Sequence, residues 1–262
     1  AERIQALPQT GIATVESSKL PKTHDPKNAF ARFLPDGLFD EASAWVRFGR
    51  TDGYPAFHHH RFKYWRSAFF QFIRAPERNR ERSTALLEGI NRGEVFPIGT
   101  QFALVEQAFL ISDQGEMVLS PLVLGMQFRA YLNVEKGHHE SIPKPTQSLA
   151  EFVLEPNQLK IGKLALRSLA ENDVRWRAFT PGDGGKVDPF EGGLTKPTPR
   201  LKQCMGCHHH AGLRSLGDLS RRIAPKLHPL TRAKVVENAI EGKAQDVRWA
   251  ALKRYARSKS ER

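Results

Sequence analysis

Cysteine occurs only twice in these 262 residues and methionine only three times. Two cysteines cannot build the multi-disulfide framework of a small secreted scaffold. No apolar run approaches the roughly 18 residues that a membrane-spanning helix needs. No signal-peptide pattern is present, and Ala1-Glu2-Arg3 reads as a mature N-terminus left after cleavage. No segment repeats at a fixed period, which excludes a solenoid or propeller. Acidic residues are also short: 28 Asp and Glu face 40 Lys and Arg, a formal net charge of +12. The excess is dense over 61–82 and after residue 213. Such a surface steers acidic partners or anionic polymers toward it. No nucleic-acid-binding motif accompanies it, so specific nucleic acid is not the expected partner.

What is present begins with the two cysteines, which stand in Cys204-Met205-Gly206-Cys207-His208. The form C-x-x-C-H is the attachment signature of a c-type haem. Two thiols three positions apart reach the two vinyl groups as thioethers, and the adjacent imidazole reaches the iron as proximal ligand. The rival chemistries fit less well. A zinc site wants a second C-x-x-C, or an H-x3-5-H some 12–15 residues on. Here His208, His209 and His210 are consecutive and the next histidine is His228. A thioredoxin-like C-x-x-C opens a helix after a strand, whereas this one follows Pro197-Thr198-Pro199-Arg200. At the motif the chain resembles the c-type cytochromes.

That resemblance implies one covalent haem c, with Cys204 and Cys207 as anchors and His208 on the iron. It also implies an exported, periplasmic protein, because the attachment takes place outside the bacterial cytoplasm. In class I cytochromes c the motif is early and a later methionine supplies the second axial ligand. Here the motif is late, and the methionines are 117, 126 and 205. The sixth position is therefore left to His228, to an upstream group (Met117, Met126, His138, His139 or one of His58–His60), or to no protein ligand. The late motif after β-rich sequence is loosely similar to the group that includes cytochrome P460.

The remaining chain reads as α+β, with a β-rich central region, a helical N-terminal part and a helical haem-binding C-terminal segment. Residues 1–35, broken by Pro8, Pro21, Pro26 and Pro35, read as an extended arm with a short strand at 11–16. Residues 36–98 form the helical, aromatic-rich part. Leu38, Phe39, Ala42, Trp45 and Val46 recur at helical spacing, ending near Gly49. Phe62, Trp65, Phe69, Phe72 and Ile73 share a second helical face, a core-facing helix or a wall for the haem. A third helix is expected from Pro76 to Ile90, closed at Gly93.

Residues 99–200 are the β-rich part: a hairpin of 100–111 with 117–124 around Asp113-Gln114-Gly115, continued at 127–134, then strands at 149–154, 164–169 and 174–179. A loop from Pro181 to Pro199 leads to the motif. Residues 201–262 are the helical haem segment, with helices at 213–223, from Pro229 to Gly242 and from Asp246, and a fraying basic end from Arg257.

The expected function is one-electron transfer by a monohaem cytochrome, more an electron carrier than a catalyst. Its partner is expected to be an acidic redox protein or a larger electron-transfer complex. The alternatives are a haem enzyme or gas sensor with an open distal site, for peroxide, hydroxylamine or nitric oxide chemistry, and a haem-bearing subunit of a larger redox complex.

Overall fold

The computed structural model describes residues 35, 37–50, 67–92, 94, 96–112, 115–131, 147–154, 166–168, 174–176, 197–199, 226–244 and 247–260. The arm at 1–34, the helix expected at 213–223 and the C-x-x-C-H motif lie outside the described residues.

The described chain forms a mostly antiparallel sheet with three helices. Its strands are β1 (Val46–Arg50), β2 (Ser67–Arg74), β3 (Gln101–Ile111), β4 (Met117–Tyr131), β5 (Gln147–Leu154) and β6 (Leu166–Ser168), and then β7 (Val174–Trp176), β8 (Pro197–Pro199) and β9 (Leu227–Pro229). The helices are α1 (Arg80–Asn91), α2 (Arg232–Ala244) and α3 (Val247–Ser260). Seven strands make one sheet in the order β6-β5-β4-β3-β2-β1-β9, and β7 pairs with β8 alone. The α+β, β-rich reading therefore stands.

The hairpin β3–β4 and strands β5, β6 and β7 fall where alternation and turn residues placed them. Gly115, at φ +75°, supplies the left-handed position of the connection. Register shifts break the β3–β4 ladder on either side of Gln107. There the Ser120 hydroxyl donates to the Ala108 carbonyl at 3.0 Å.

The helical N-terminal part is corrected. Residues 67–74 are a strand, buried at every position but Arg74. A central strand covered on both faces reads as a continuous apolar run, and over eight residues that run also matches a helical face. Pairing with β1 and β3 decided the outcome. The first expected helix is also absent. Gly37 at φ +71°, the Asp40 carboxylate accepting from Ala42 N–H (2.9 Å) and the Ser43 hydroxyl donating to the Gly37 carbonyl (2.6 Å) close a turn, and Val46 begins a strand. Side chains of Asp and Ser compete here with the helical backbone bonds.

Smaller corrections follow the same logic. α1 starts at Arg80 because the Asn79 side chain accepts from the N–H groups of Glu81 and Arg82. The loop expected up to Pro199 ends in strand β8. Pro229 closes strand β9 rather than opening a helix; α2 begins at Arg232, with the Thr231 hydroxyl accepting from Lys234 N–H (3.2 Å). α2 runs through Gly242 to Ala244, and α3 runs past Arg257 to Ser260.

Cross-strand pairing sorts the sheet into two faces. The first carries Phe70, Phe72, Ala103, Val105 and Met126, which pack with Leu38, Phe39, Trp45 and residues of α2 and α3, including Ala239 and Trp249. The second carries Val46, Phe48, Ile73, Phe102, Tyr131 and Leu227 at one end, packed with Leu87 and Ile90 of α1 and with Phe96. The rings of Phe96, Phe102 and Tyr131 meet pairwise at centroid distances of 5.0–5.8 Å. Burial there raises the Tyr131 phenol well above its ordinary pKa.

Edge strand β9 is held on both sides. It pairs with β1 at Gly49↔His228, and the Asn91 side chain of α1 brackets Leu227 by donating to its carbonyl (2.9 Å) and accepting from its N–H (2.8 Å). One amide side chain thus replaces a missing neighbouring strand. Asn91→Ala removes both bonds and is expected to destabilise the fold by about 1–3 kcal/mol, at roughly 1 kcal/mol per bond plus the groups left unpaired. Urea unfolding followed by circular dichroism should show a lower midpoint at unchanged slope.

Candidate functional site

The structure describes three of the residues that were set against the iron's sixth position, His228, Met126 and Met117. His58, His138, Cys204, Cys207 and His208 lie outside the described residues. His228 is half-buried on β9, between Leu227, which Asn91 clamps, and Leu230, whose N–H donates to the Arg47 carbonyl at 2.9 Å. It faces Gly49 across the ladder, so the residue directly opposite the imidazole has no side chain. Met126 is 4% exposed, in register between Val105 and Phe152. Its thioether belongs to the core beneath α2 and α3. Four strand spacings separate β9 from β4, about 19 Å at 4.8 Å each, so His228 and Met126 cannot serve one iron together. Met117 packs against the same core as Met126.

Beside His228 on the first face lies a layered arrangement of arginine and aromatic rings. Arg47 is 5% exposed, with its guanidinium carbon 6.0 Å from the Phe70 centroid and 5.5 Å from that of Phe72. Arg232 lies 6.0 Å from the Phe70 centroid, and Arg74 lies 4.5 Å from that of Trp45. Weakly hydrated guanidinium is the cation best suited to such stacking. Arg47 Nη1 donates to the Glu41 carboxylate (3.0 Å) and to the Leu230 carbonyl (3.2 Å). The same Glu41 oxygen accepts from Arg232 N–H, the first residue of α2, at 3.3 Å. Desolvation lowers the pKa of Arg47 and of Arg232; repulsion from Arg80 adds to it at Arg47, and repulsion from Arg47 adds to it at Arg232. The hydrogen bonds from Arg47 and from Arg232 N–H in turn hold the Glu41 carboxyl below its usual value.

The second face departs from an ordinary core away from the α1 end. Across β2–β5 it buries Ser67, Gln71, Glu106, Gln127, Arg129 and Glu151. Gln71, Leu104, Gln127 and Glu151 lie in one cross-strand row, and Ser67 Oγ donates to Glu106 Oε1 at 2.9 Å. Both side-chain atoms of Gln71 are buried without a hydrogen-bond partner. Buried polar groups are normally paired, and Trp45 Nε1, Arg47 Nε, Thr100 Oγ1 and Gln107 Oε1 are buried without a partner in the same way. None of these was expected as part of a site: Ser67 and Gln71 fall within the second expected helix, and Glu106, Gln127, Arg129 and Glu151 within the β-rich part, and nothing local signals their burial.

No family model matches the chain, and comparison with the curated proteins and with the solved structures gave no match either. Among the described residues, no group of three or more His, Cys, Asp or Glu is placed to hold a metal ion. No described helix is long and apolar enough to cross a membrane.

Glu41 joins β1 to α2, so its protonation should loosen that junction. Its folded pKa is depressed, so its contribution is present above the ordinary glutamate value near 4.5. It is lost as the pH falls through the lower folded value. Thermal melts between pH 6 and pH 3 should show a steeper acid-side loss of stability for wild type than for Glu41→Gln, the two curves converging at the acid end.

Proposed function

We propose that this chain is an exported c-type cytochrome that transfers single electrons through one covalently bound haem. The observation that carries the reading is Cys204-Met205-Gly206-Cys207-His208, which uses both cysteines of the chain in C-x-x-C-H spacing. On this reading Cys204 and Cys207 anchor the porphyrin by thioethers and His208 is the proximal ligand. When bound, the haem supplies a ferric/ferrous couple. The chain's own residues set its surroundings and its partner. The net charge of +12 favours an acidic redox protein, or an acidic face of a larger electron-transfer complex.

His228 is the described candidate for the opposite axial position. A strand clamped at Leu227 and bonded at Leu230 holds it, and glycine faces it. A histidine there makes a bis-histidine centre of lower potential than a His/Met pair. The absence of any methionine after Cys207 also supports a second reading. In that reading the distal side stays open to a small molecule, and the protein is a haem enzyme or gas sensor.

The test is spectroscopic, on protein expressed with export and haem maturation. Haem should stay with the chain in acidified organic solvent, and Cys204→Ser with Cys207→Ser should abolish that retention. Release of haem from the wild type would overturn the proposal. A six-coordinate low-spin spectrum indifferent to carbon monoxide supports the electron carrier; a high-spin spectrum that shifts with carbon monoxide supports the open site. His228→Ala should convert low spin to high spin, and an unchanged spectrum removes His228 as ligand.

A further inference from the structure

Helix α3 turns a basic, partly apolar face to solvent. From Val247 to Ser260 it holds Arg248, Lys253, Arg254, Arg257 and Lys259 and no acidic residue, whereas α1 and α2 mix both signs. The helix dipole favours basic residues toward the C-terminus but opposes Arg248, which lies in the first turn. Lys253 and Arg257 stand four positions apart, where like charges repel. Neither Lys253 nor Arg254 is in an ion pair with another described residue. Helix stability alone does not select this charge pattern. The inward side is fixed by Trp249, whose ring meets that of Phe109 edge-on at 6.3 Å. Val247, Ala250, Ala251, Arg254, Tyr255 and Ser258 are exposed, and the helical period sets them together on the opposite side. Val247 is 78% and Tyr255 40% exposed, two of the three large apolar side chains that the described residues leave in solvent.

We propose that this face of α3 docks the acidic surface of a partner protein. Charge complementarity selects the occupant: the guanidinium of Arg254 suits a carboxylate bidentately, and Lys253 adds a point charge at the next position. Ala250 and Ala251 let a partner's backbone come close, while Val247 and Tyr255 supply apolar area. Tyr and Arg are residue types that carry much of the energy at protein interfaces. A bilayer is served less well, because Trp249 and Leu252 pack into the core and leave α3 no broad apolar face to enter lipid. A nucleic-acid backbone would use the charge and leave Val247 and Tyr255 idle. The proposal rests on the acidic-partner part of the reading above, to which it gives a place on the surface, and does not depend on the haem.

The experiment measures binding of a fluorescent acidic peptide of Glu-Ala-Leu-Glu repeats to the full-length protein by anisotropy. Physiological ionic strength screens diffuse attraction beyond about 8 Å. The lysine counterpart of the peptide, phosphatidylglycerol vesicles and a mixed-sequence DNA duplex are run beside it. Wild type should bind the acidic peptide saturably and the lysine peptide not at all. Arg254→Glu should weaken binding at least about tenfold and Tyr255→Ala at least about threefold, with unchanged circular dichroism; Arg254→Gln takes the place of the reversal if the spectrum changes. Arg82→Glu makes the same change of net charge at an exposed position of α1, which covers the other face of the sheet. It should weaken binding by less than about twofold. Equal losses from Arg82→Glu and Arg254→Glu overturn the proposal, since net charge alone then explains the binding. So does the lack of saturable binding, a Tyr255→Ala variant that binds like wild type, or vesicles or duplex that bind more tightly than the peptide. Haem released into acidified solvent, with the α3 variants behaving as expected, would sink the cytochrome reading and leave this docking face standing.

Discussion

Strand β2 is buried on both of its faces, and this one constraint organises the rest of the described structure. Seven of its eight residues are withdrawn from water, so each face of the sheet must be covered near its middle. The first face takes Phe70 and Phe72 against the Leu38–Phe39 turn, α2 and α3; the second takes Ile73 against α1. Fully burying a phenylalanine or isoleucine contributes roughly 1.5–3 kcal/mol. Three such residues on one strand therefore outweigh the few tenths by which a local helical preference could resist. Because β1 and β9 extend the sheet from β2, the place of His228 follows from the same burial.

The sheet also buries charge, in two different ways. On the first face Arg47 and Arg232 are stacked on Phe70 and tied through Glu41, which bonds one guanidinium and the first N–H of α2. That arrangement works because guanidinium sheds water more readily than ammonium and can face an aromatic ring. On the second face Glu106 meets Ser67 while Gln71 meets nothing. Leaving a buried amide unpaired costs on the order of 1–3 kcal/mol. The two faces thus differ in character: one sets guanidinium groups on aromatic rings, the other buries a row of polar side chains across β2–β5.

Legibility in the sequence followed the range of the interaction. The β3–β4 hairpin could be read because its signals are local: alternation on either side of Asp113-Gln114-Gly115, with a glycine for the left-handed position. α1, α2 and α3 could be read to within a few residues, since caps and helical spacing act within one or two turns. Ser67–Arg74 could not, because an octet with five apolar residues fits a helix face and a doubly covered strand equally well. Arg47, Gln71 and Glu106 were equally opaque. Their residue types ordinarily mean solvent, and only the approach of distant segments made them interior.

By itself the sequence determined the hairpin, the approximate helices and the identity of the residues on which the haem proposal rests. Thioether attachment and proximal ligation are matters of spacing over five consecutive residues, and spacing is written in the chain. Only the tertiary structure decided that 67–74 is a strand, that Met126 lies in a core and that His228 stands on a clamped edge strand about 19 Å away from it. It also decided that a polar row lies inside the fold. Each of these depends on pairing between segments tens to nearly two hundred residues apart. The free energy of such pairing resides in burial and cross-strand contact, which no local pattern contains.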